Sequence, residues 1–397
     1  MLGNGTSRLL MIAPAPVIEL ADGKLRLDVK FAEGMHFHVA EWDGPVTCIL
    51  KRGATEIPFG ATYDYADLDF TLEIIDREAP IDVNDLVAND LILAGADMYD
   101  VLHLAAPDQR PKGTKLVYAI EYDLDSRLRI ASLDHHSGLV RKLRAKAWLL
   151  VQERRRRAAL RGCDGVQANG YPAFSAYAKF NKNTMLYLDG RMGHAMMATK
   201  QEQAARALHL QSDAPLRLVH SGRLEPLKGG QDLMPIARAL HQGGLNFTLD
   251  IFGSGSLGPD IAKDISTAGL GDIVRLHDPV DFETALVPFM RQKADLFLSC
   301  HRQSDPSCTY LECLGCGIPV VGYNNAMWQN MAAQSGGGWA VALGQADALV
   351  DKISELAGNP AALLKAGQLG LEFARNHAFE AEFSKRMTHL ADIARAR

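Results

Sequence analysis

Two short stretches of the chain carry residue types whose spacing suits the handling of an anion. The first is Gly222-Arg223-Leu-Glu-Pro-Leu-Lys228-Gly229. It follows a strand-like run and precedes a helix-like one, so both cations emerge together at the end of a strand. Arginine offers a planar fork to phosphate oxygens and lysine a compact point charge. Fixed cations at that place stabilise charge that develops on a departing phosphate. Gly222 and Gly229 let the backbone turn tightly and come close to a ligand. A solvated surface turn with two ordinary cations would read the same way in isolation.

The second stretch is Ser304-Asp-Pro-Ser-Cys-Thr-Tyr-Leu-Glu312, followed by Cys313-Leu-Gly-Cys316-Gly-Ile-Pro-Val-Val-Gly322. Ser307 fits the N-cap of a helix, which would turn the amides of Cys308 and Thr309 toward an anion. Glu312, about one turn in, is placed to accept hydrogen bonds from a ribose diol. The plainer alternative is an N-capped helix with an exposed glutamate, which gives no reason for the apolar residues around Glu312.

Other motifs carry weaker signals. Cys313 and Cys316 form a CxxC near Cys300 and Cys308, readable as a zinc site or as buried thiols. No second CxxC and no histidine pair supports zinc. Asp67-Leu-Asp69 and Asp123-Leu-Asp125 resemble metal-binding triplets, but Arg223 and Lys228 already serve a diphosphate, and no metal is expected. Glu121 ends a predicted strand, where it either meets a substrate or faces solvent and pairs with Arg127. His103 is read as a core or surface histidine before a catalytic one. Residues 138–161 form a basic helix with an apolar stripe of Leu139, Leu143, Ala147, Leu150 and Val151. The stripe alone suits packing into a core, whereas a basic amphipathic helix also suits an anionic membrane surface.

The elements that would position these residues alternate. Strands are expected at Leu216 to Ser221, Phe247 to Phe252, Ile273 to Leu276, Leu296 to Ser299 and Pro319 to Gly322. Helices are expected at Gln231 to His241, Pro259 to Ala268, near Phe282 to Met290, and at Cys308 to Gly315. Such alternation indicates a parallel sheet covered on both faces, with ligands at the carboxyl ends of its strands. The first half alternates less regularly. Its expected strands are Leu9 to Ala13, Val46 to Leu50, Phe70 to Ile75, Asp90 to Leu93, Leu116 to Glu121, Gly165 to Ala168 and Thr184 to Leu188. Its helices fit near Leu27 to Glu41 and Gly138 to Leu160.

The totals fit this layout. The 397 residues suffice for two domains, and 47% apolar with 22% charged residues is the composition of a globular protein. A net charge of −5 gives no support to nucleic-acid binding. No run is apolar enough to span a membrane and the first residues lack a signal-peptide pattern, so a cytoplasmic location is expected, at the inner face of the membrane if the basic helix docks there.

The Gly222–Gly229 block, the Gly253-Ser-Gly255 turn and the Ser304–Gly322 block, in this order, resemble the donor domain of GT-B glycosyltransferases over roughly residues 214–330. The closest likeness is to retaining family 4, which works on bacterial polysaccharides and glycolipids. The resemblance implies an α/β protein of GT-B class, two Rossmann-like domains facing each other across a cleft. Residues 1–190 would form the acceptor-side domain and 191–379 the nucleotide-sugar domain, with a helix over 380–397 packing back toward the first. Arg223 and Lys228 would hold the donor diphosphate, with Gly222 and Gly253 close by. Ser307, Cys308, Thr309 and Glu312 would complete the nucleotide site, and Pro279 and Val280 would edge the base pocket. The implied partners are a nucleotide-sugar donor and a saccharide or lipid-linked acceptor, with no cofactor.

Departures lie at the sugar end. Relatives have a glutamate where this chain has Ser304, and often a histidine where it has Glu121, so both are named as candidate catalytic residues. Two further readings stand beside sugar transfer: a non-catalytic GT-B scaffold that binds a nucleotide sugar, and a sugar-nucleotide epimerase.

Overall fold

The computed structural model describes residues 7–396 apart from 54–55, 58–59, 83–85, 87–88 and 133–137. The chain packs into two units. The first runs to Tyr187 and takes back the chain from Phe383 onward; the second comprises Leu188–Glu382.

In the first unit the strands are β1 (Leu9–Glu19), β2 (Leu25–Asp28), β3 (Val46–Arg52), β4 (Gly60–Tyr63), β5 (Thr71–Ile75), β6 (Leu91–Gly95), β7 (Lys115–Ile120), β8 (Gly165–Asn169) and β9 (Thr184–Tyr187). Seven of them form a parallel sheet in the order β5-β3-β1-β6-β7-β8-β9. β2 and β4 add a small antiparallel flap to the far end of β1. The first strand is longer than expected. It continues through Pro14 and Pro16 to Glu19, but its pairing with β3 shifts register between Ile12 and Pro16. Proline has no amide proton to give a ladder, so the break falls where the prolines are. The helix expected from Leu27 starts at Val29, because the Asp28 carboxylate accepts from the Phe31 amide at 3.0 Å and caps it.

The basic helix spans Leu139–Gly162, and its apolar stripe does not face the core. Leu143, Leu150 and Val151 are at least half exposed, and the side chain of Leu139 lies outside the described residues. The buried face is instead Leu149, Gln152, Glu153, Arg156 and Leu160. Arg156 has no exposure at all. It donates to Glu153 Oε2 (2.6 Å), to Asp97 Oδ1 (3.2 Å), to the Tyr122 carbonyl (3.1 Å) and to the Tyr177 hydroxyl. Turning the stripe inward would pull Arg156 away from Asp97, Tyr122 and Tyr177, and breaking such a buried ion pair costs several kcal/mol. The ion network therefore sets the rotation of the helix.

The second unit holds β10 (Leu216–Ser221), β11 (Phe247–Phe252), β12 (Val274–His277), β13 (Leu296–Ser299), β14 (Val320–Tyr323) and β15 (Gly338–Val341). All six are parallel, in the order β12-β11-β10-β13-β14-β15. The strand order reverses between β10 and β13, the place where doubly wound sheets open a crevice for ligands. The five strands expected from sequence are present within a residue or so. β15 and the helices Lys200–Leu210, Ala326–Ser335, Ala346–Ala357 and Pro360–Asn376 were not expected. Among the described residues, no helix is long and apolar enough to cross a membrane.

The C-terminal helix, Phe379–Arg395, sets Phe383 edge-on against His38 at 4.7 Å between ring centroids. Burial, with Arg386 nearby, pushes the His38 imidazole down to about 3. The unfolded chain takes up a proton below about pH 6.5 that the folded chain refuses, so stability falls as the pH drops from there. The expected loss is about 1.4 kcal/mol per pH unit from this residue. Thermal melts between pH 7.5 and 5.5 should show a shallower decline in His38→Gln than in the native chain.

Candidate functional site

The ligand edge of the second sheet is built from three loops locked together by glycine contacts. Gly229 has φ +75°, and a Cβ there would lie 1.8 Å from the Cys300 carbonyl oxygen, so the end of the cation loop rests directly on the end of β13. Gly253, at φ +144°, would drive a Cβ to 2.0 Å from the Gly222 carbonyl oxygen. Leu224 donates to the Ser254 carbonyl at 2.9 Å, and Leu257 donates back to Leu224 at 3.0 Å. Glu225 accepts from the Ser256 hydroxyl (2.5 Å) and amide (2.8 Å), and these bonds hold its carboxyl below the usual range. The glycine turn is thus a clamp on the cation loop, and Gly253 serves packing of backbone on backbone.

The two cations differ. Arg223 is exposed, and no ion pair engages it among the described residues. Lys228 is 8% exposed, and its Nζ donates to Asp305 Oδ2 at 2.5 Å. Asp305 Oδ1 is buried without a hydrogen-bond partner among the described residues. A lysine this deep needs a counter-charge, and Asp305 supplies one from the loop after β13.

Glu312 is buried at 4% exposure. Its Oε1 accepts from Arg191 Nε (3.1 Å) and Nη2 (3.0 Å), while the Arg191 guanidinium lies 3.8 Å over the Phe282 ring. Arg191 was not a sequence candidate, because it stands in a loop with no motif around it. Pro279 and Val280 are exposed, just before Phe282. Ser307 does not cap the following helix as expected. That helix runs Thr309–Gly315 with Cys308 at the N-cap and no side-chain cap bond. Asp305 instead folds the approach, its carbonyl accepting from the Ser307 amide at 2.8 Å. Ser307, Cys308 and Thr309 are all partly buried. Ser304 is 7% exposed, and its Oγ accepts from the Ala326 amide at 3.0 Å, tying it to the start of another helix.

The other candidates are placed as follows. Glu121 is exposed just beyond β7, with its amide donating to Asp97 Oδ2 at 2.8 Å. Arg127, offered as its partner, bonds Asp97 and the Tyr99 hydroxyl (2.9 Å). His103 has its ring nitrogens 2.8 and 2.9 Å from the carbonyls of Asp100 and Ile81. Asp69 pairs with His36 and Asp125 with Arg129, while Asp123 accepts from the Ser126 amide. Cys300, Cys313 and Cys316 are buried, which pushes their thiols up. Among the described residues, no three His, Cys, Asp or Glu side chains gather to hold a metal.

With the geometry in view, comparison with known proteins bears on the whole chain. The solved structures of HepE from Anabaena in complex with UDP (15% identity, 97% of this chain and 99% of that one) and of sucrose-phosphate synthase from Thermosynechococcus elongatus (17%, 97% and 98%) superpose with TM-scores of 0.63 and 0.64. A glycosyltransferase from Rickettsia africae gives 0.63 at 11% identity over 99% of this chain and all of that one. The fold is GT-B. Residues 215–359 match the family of glycosyl transferases group 1, a span that contains the cation loop, the glycine turn and Glu312. No curated protein matches the chain by sequence. In this GT-B protein Arg223, Lys228 and Glu312 thus lie within the matched segment, and Arg191 joins them from before it.

Replacing Gly229 by alanine would strain a left-handed backbone and push against a fixed carbonyl. A loss of roughly 2 kcal/mol or more is expected, lowering the melting temperature by about 4–8 °C in a unit of this size. Gly269→Ala, also at positive φ (+65°) but with open space around it, should cost less in the same melt.

Proposed function

We propose that the chain moves a hexose-like sugar from a nucleoside-diphosphate sugar to a hydroxyl of a saccharide or lipid-linked saccharide. The observation that carries this reading is the pair of cations beside the strand-order reversal: Arg223 open to solvent, and Lys228 behind it. The match of residues 215–359 to glycosyl transferases group 1 supports it, as does the UDP-glucose complex solved for HepE. Arg223 and Lys228 stabilise the departing diphosphate more strongly as its charge grows. Lys228 exchanges Asp305 for a phosphate oxygen, and Glu312 accepts from the ribose diol while Arg191, donating to its Oε1, balances its charge. We assign the reaction to the retaining, metal-independent kind of family 4. The C1–phosphate bond breaks, the acceptor oxygen bonds C1 on the same face, and a phosphate oxygen takes the acceptor's proton. Within the first unit Glu121 is assigned to the acceptor, and within the second Ser304 is assigned to the donor sugar.

A thermal-shift screen against UDP, ADP and GDP and their sugar conjugates identifies the donor, since a ligand binding only the folded state raises its melting temperature. Arg223→Ala and Lys228→Ala should each lower transfer by more than about tenfold, or ~1.4 kcal/mol of barrier. Near-normal rates in both variants would overturn the mechanism. Absence of any turnover by a chain that binds a nucleotide sugar would favour the scaffold reading, and a changed sugar nucleotide without acceptor would favour the epimerase.

We further propose that this chemistry takes place at the inner face of a membrane. The outward face of the helix Leu139–Gly162 carries Val140, Leu143, Trp148, Leu150 and Val151, each about half exposed or more, with Arg141, Arg144, Arg154 and Arg155 among them. Such a face suits the headgroup boundary of anionic lipid. Co-sedimentation with phosphatidylglycerol vesicles should be strong at low salt and weak with phosphatidylcholine. Leu143→Glu with Leu150→Glu should abolish it without lowering the melting temperature; binding that persists would sink this assignment.

A further inference from the structure

Gly222, which opens the cation loop, faces two histidines that the roles above leave unused. His220 lies at the end of β10 and His301 just beyond β13, the two strands that flank the reversal of order. Both are buried, at 0% and 2% exposure. His220 stacks on Phe297, and its Nδ1 lies 2.9 Å from the Leu298 carbonyl. A carbonyl can only accept, so Nδ1 carries the proton and Nε2 of the neutral ring presents a lone pair. That Nε2 has no partner among the described residues, and neither ring nitrogen of His301 has one. Burial keeps both rings neutral, and at His301 the nearby Lys228 and Arg223 add to the effect. Each buried polar atom left unpaired costs about 1–3 kcal/mol, so three in one cluster at a ligand edge call for a partner.

Their aim identifies that partner. A Cβ built on Gly222 would lie 3.8 Å from His301 Nε2 and 4.0 Å from His220 Nε2, with no other atom from outside its neighbours within 4 Å. The two ring edges converge on the space that a side chain would otherwise fill. A phosphate oxygen brings no proton and would set its lone pairs against that of His220. A hydroxyl satisfies both Nε2 atoms, donating to that of His220 and accepting from His301 Nε2–H.

Resting on the donor reading above, we propose that His220 and His301 hold a hydroxyl of the donor's sugar over Gly222, while Arg223 and Lys228 hold the diphosphate. They act as specificity and positioning residues. Sugar recognition then lies with the histidines more than with Ser304, whose oxygen already receives the Ala326 amide.

Calorimetric titration separates the two ideas. The native chain and the variants His220→Ala, His301→Ala and His301→Gln are each titrated with UDP, ADP and GDP, and with UDP-glucose, UDP-N-acetylglucosamine, ADP-glucose and GDP-mannose. The variants should bind the bare diphosphate within threefold of the native chain, which also certifies their folding. They should lose at least tenfold for the sugar conjugate, with His301→Gln recovering part of the loss through its amide donor. Equal losses for diphosphate and conjugate, or no loss for either, overturn the inference. So does a native chain that binds a diphosphate and none of its conjugates. If the native chain binds no diphosphate at all, the donor reading falls, and this inference falls with it.

Discussion

A lysine sealed almost completely from water must keep a carboxylate beside it, and much of the second unit is arranged around that requirement. Lys228 comes from the loop after β10, and Asp305 from the loop after β13. Their pairing joins the two strand ends between which the sheet reverses its order. Attraction between the charges is only part of the matter. Either group alone would carry an uncompensated charge into low dielectric, which costs more than the pair returns. The pair therefore satisfies itself within the fold, and on the reading proposed above a phosphate would take the place of Asp305 on the lysine.

That charge pair works only because the backbones around it come unusually close. Gly229 on the Cys300 carbonyl and Gly253 on the Gly222 carbonyl leave no volume for a methyl group. The contacts set the height of the cation loop above the sheet, and so where Arg223 emerges into solvent. Glu312 follows a parallel rule: it is buried, and Arg191 reaches it while lying flat on Phe282. Lys228 and Glu312 thus each meet an opposite charge within the fold.

The first unit obeys the same electrostatics with a different result. Arg156 at zero exposure, shared among Glu153, Asp97 and Tyr177, fixes which side of the long basic helix faces inward. The apolar residues that would ordinarily claim the core are turned out. Hydrophobic periodicity gave the helix and left its inward face open, because the pairing that fixes that face joins Arg156 to residues on other segments, which the period of one helix does not register.

How much could be read beforehand follows from what is local. Alternating apolar runs gave the parallel α/β architecture and most strands of the second sheet, because side-chain period and turn residues are properties of a few neighbours. The motifs also marked Arg223, Lys228 and Glu312, since their spacing from strand ends is local too. Other features depended on residues far apart in sequence. Arg191 meets Glu312 across 121 positions, Lys228 meets Asp305 across 77, and Ser304 is taken up by Ala326. The N-cap went to Cys308 because the Asp305 turn reshaped the approach to its helix. The convergence of His220 and His301 on Gly222 exists only once β10 and β13 lie side by side. The sequence by itself determined which elements form and which charges sit at their ends. Tertiary structure alone decided which charges meet, because burial and partnering are properties of the packed sheet.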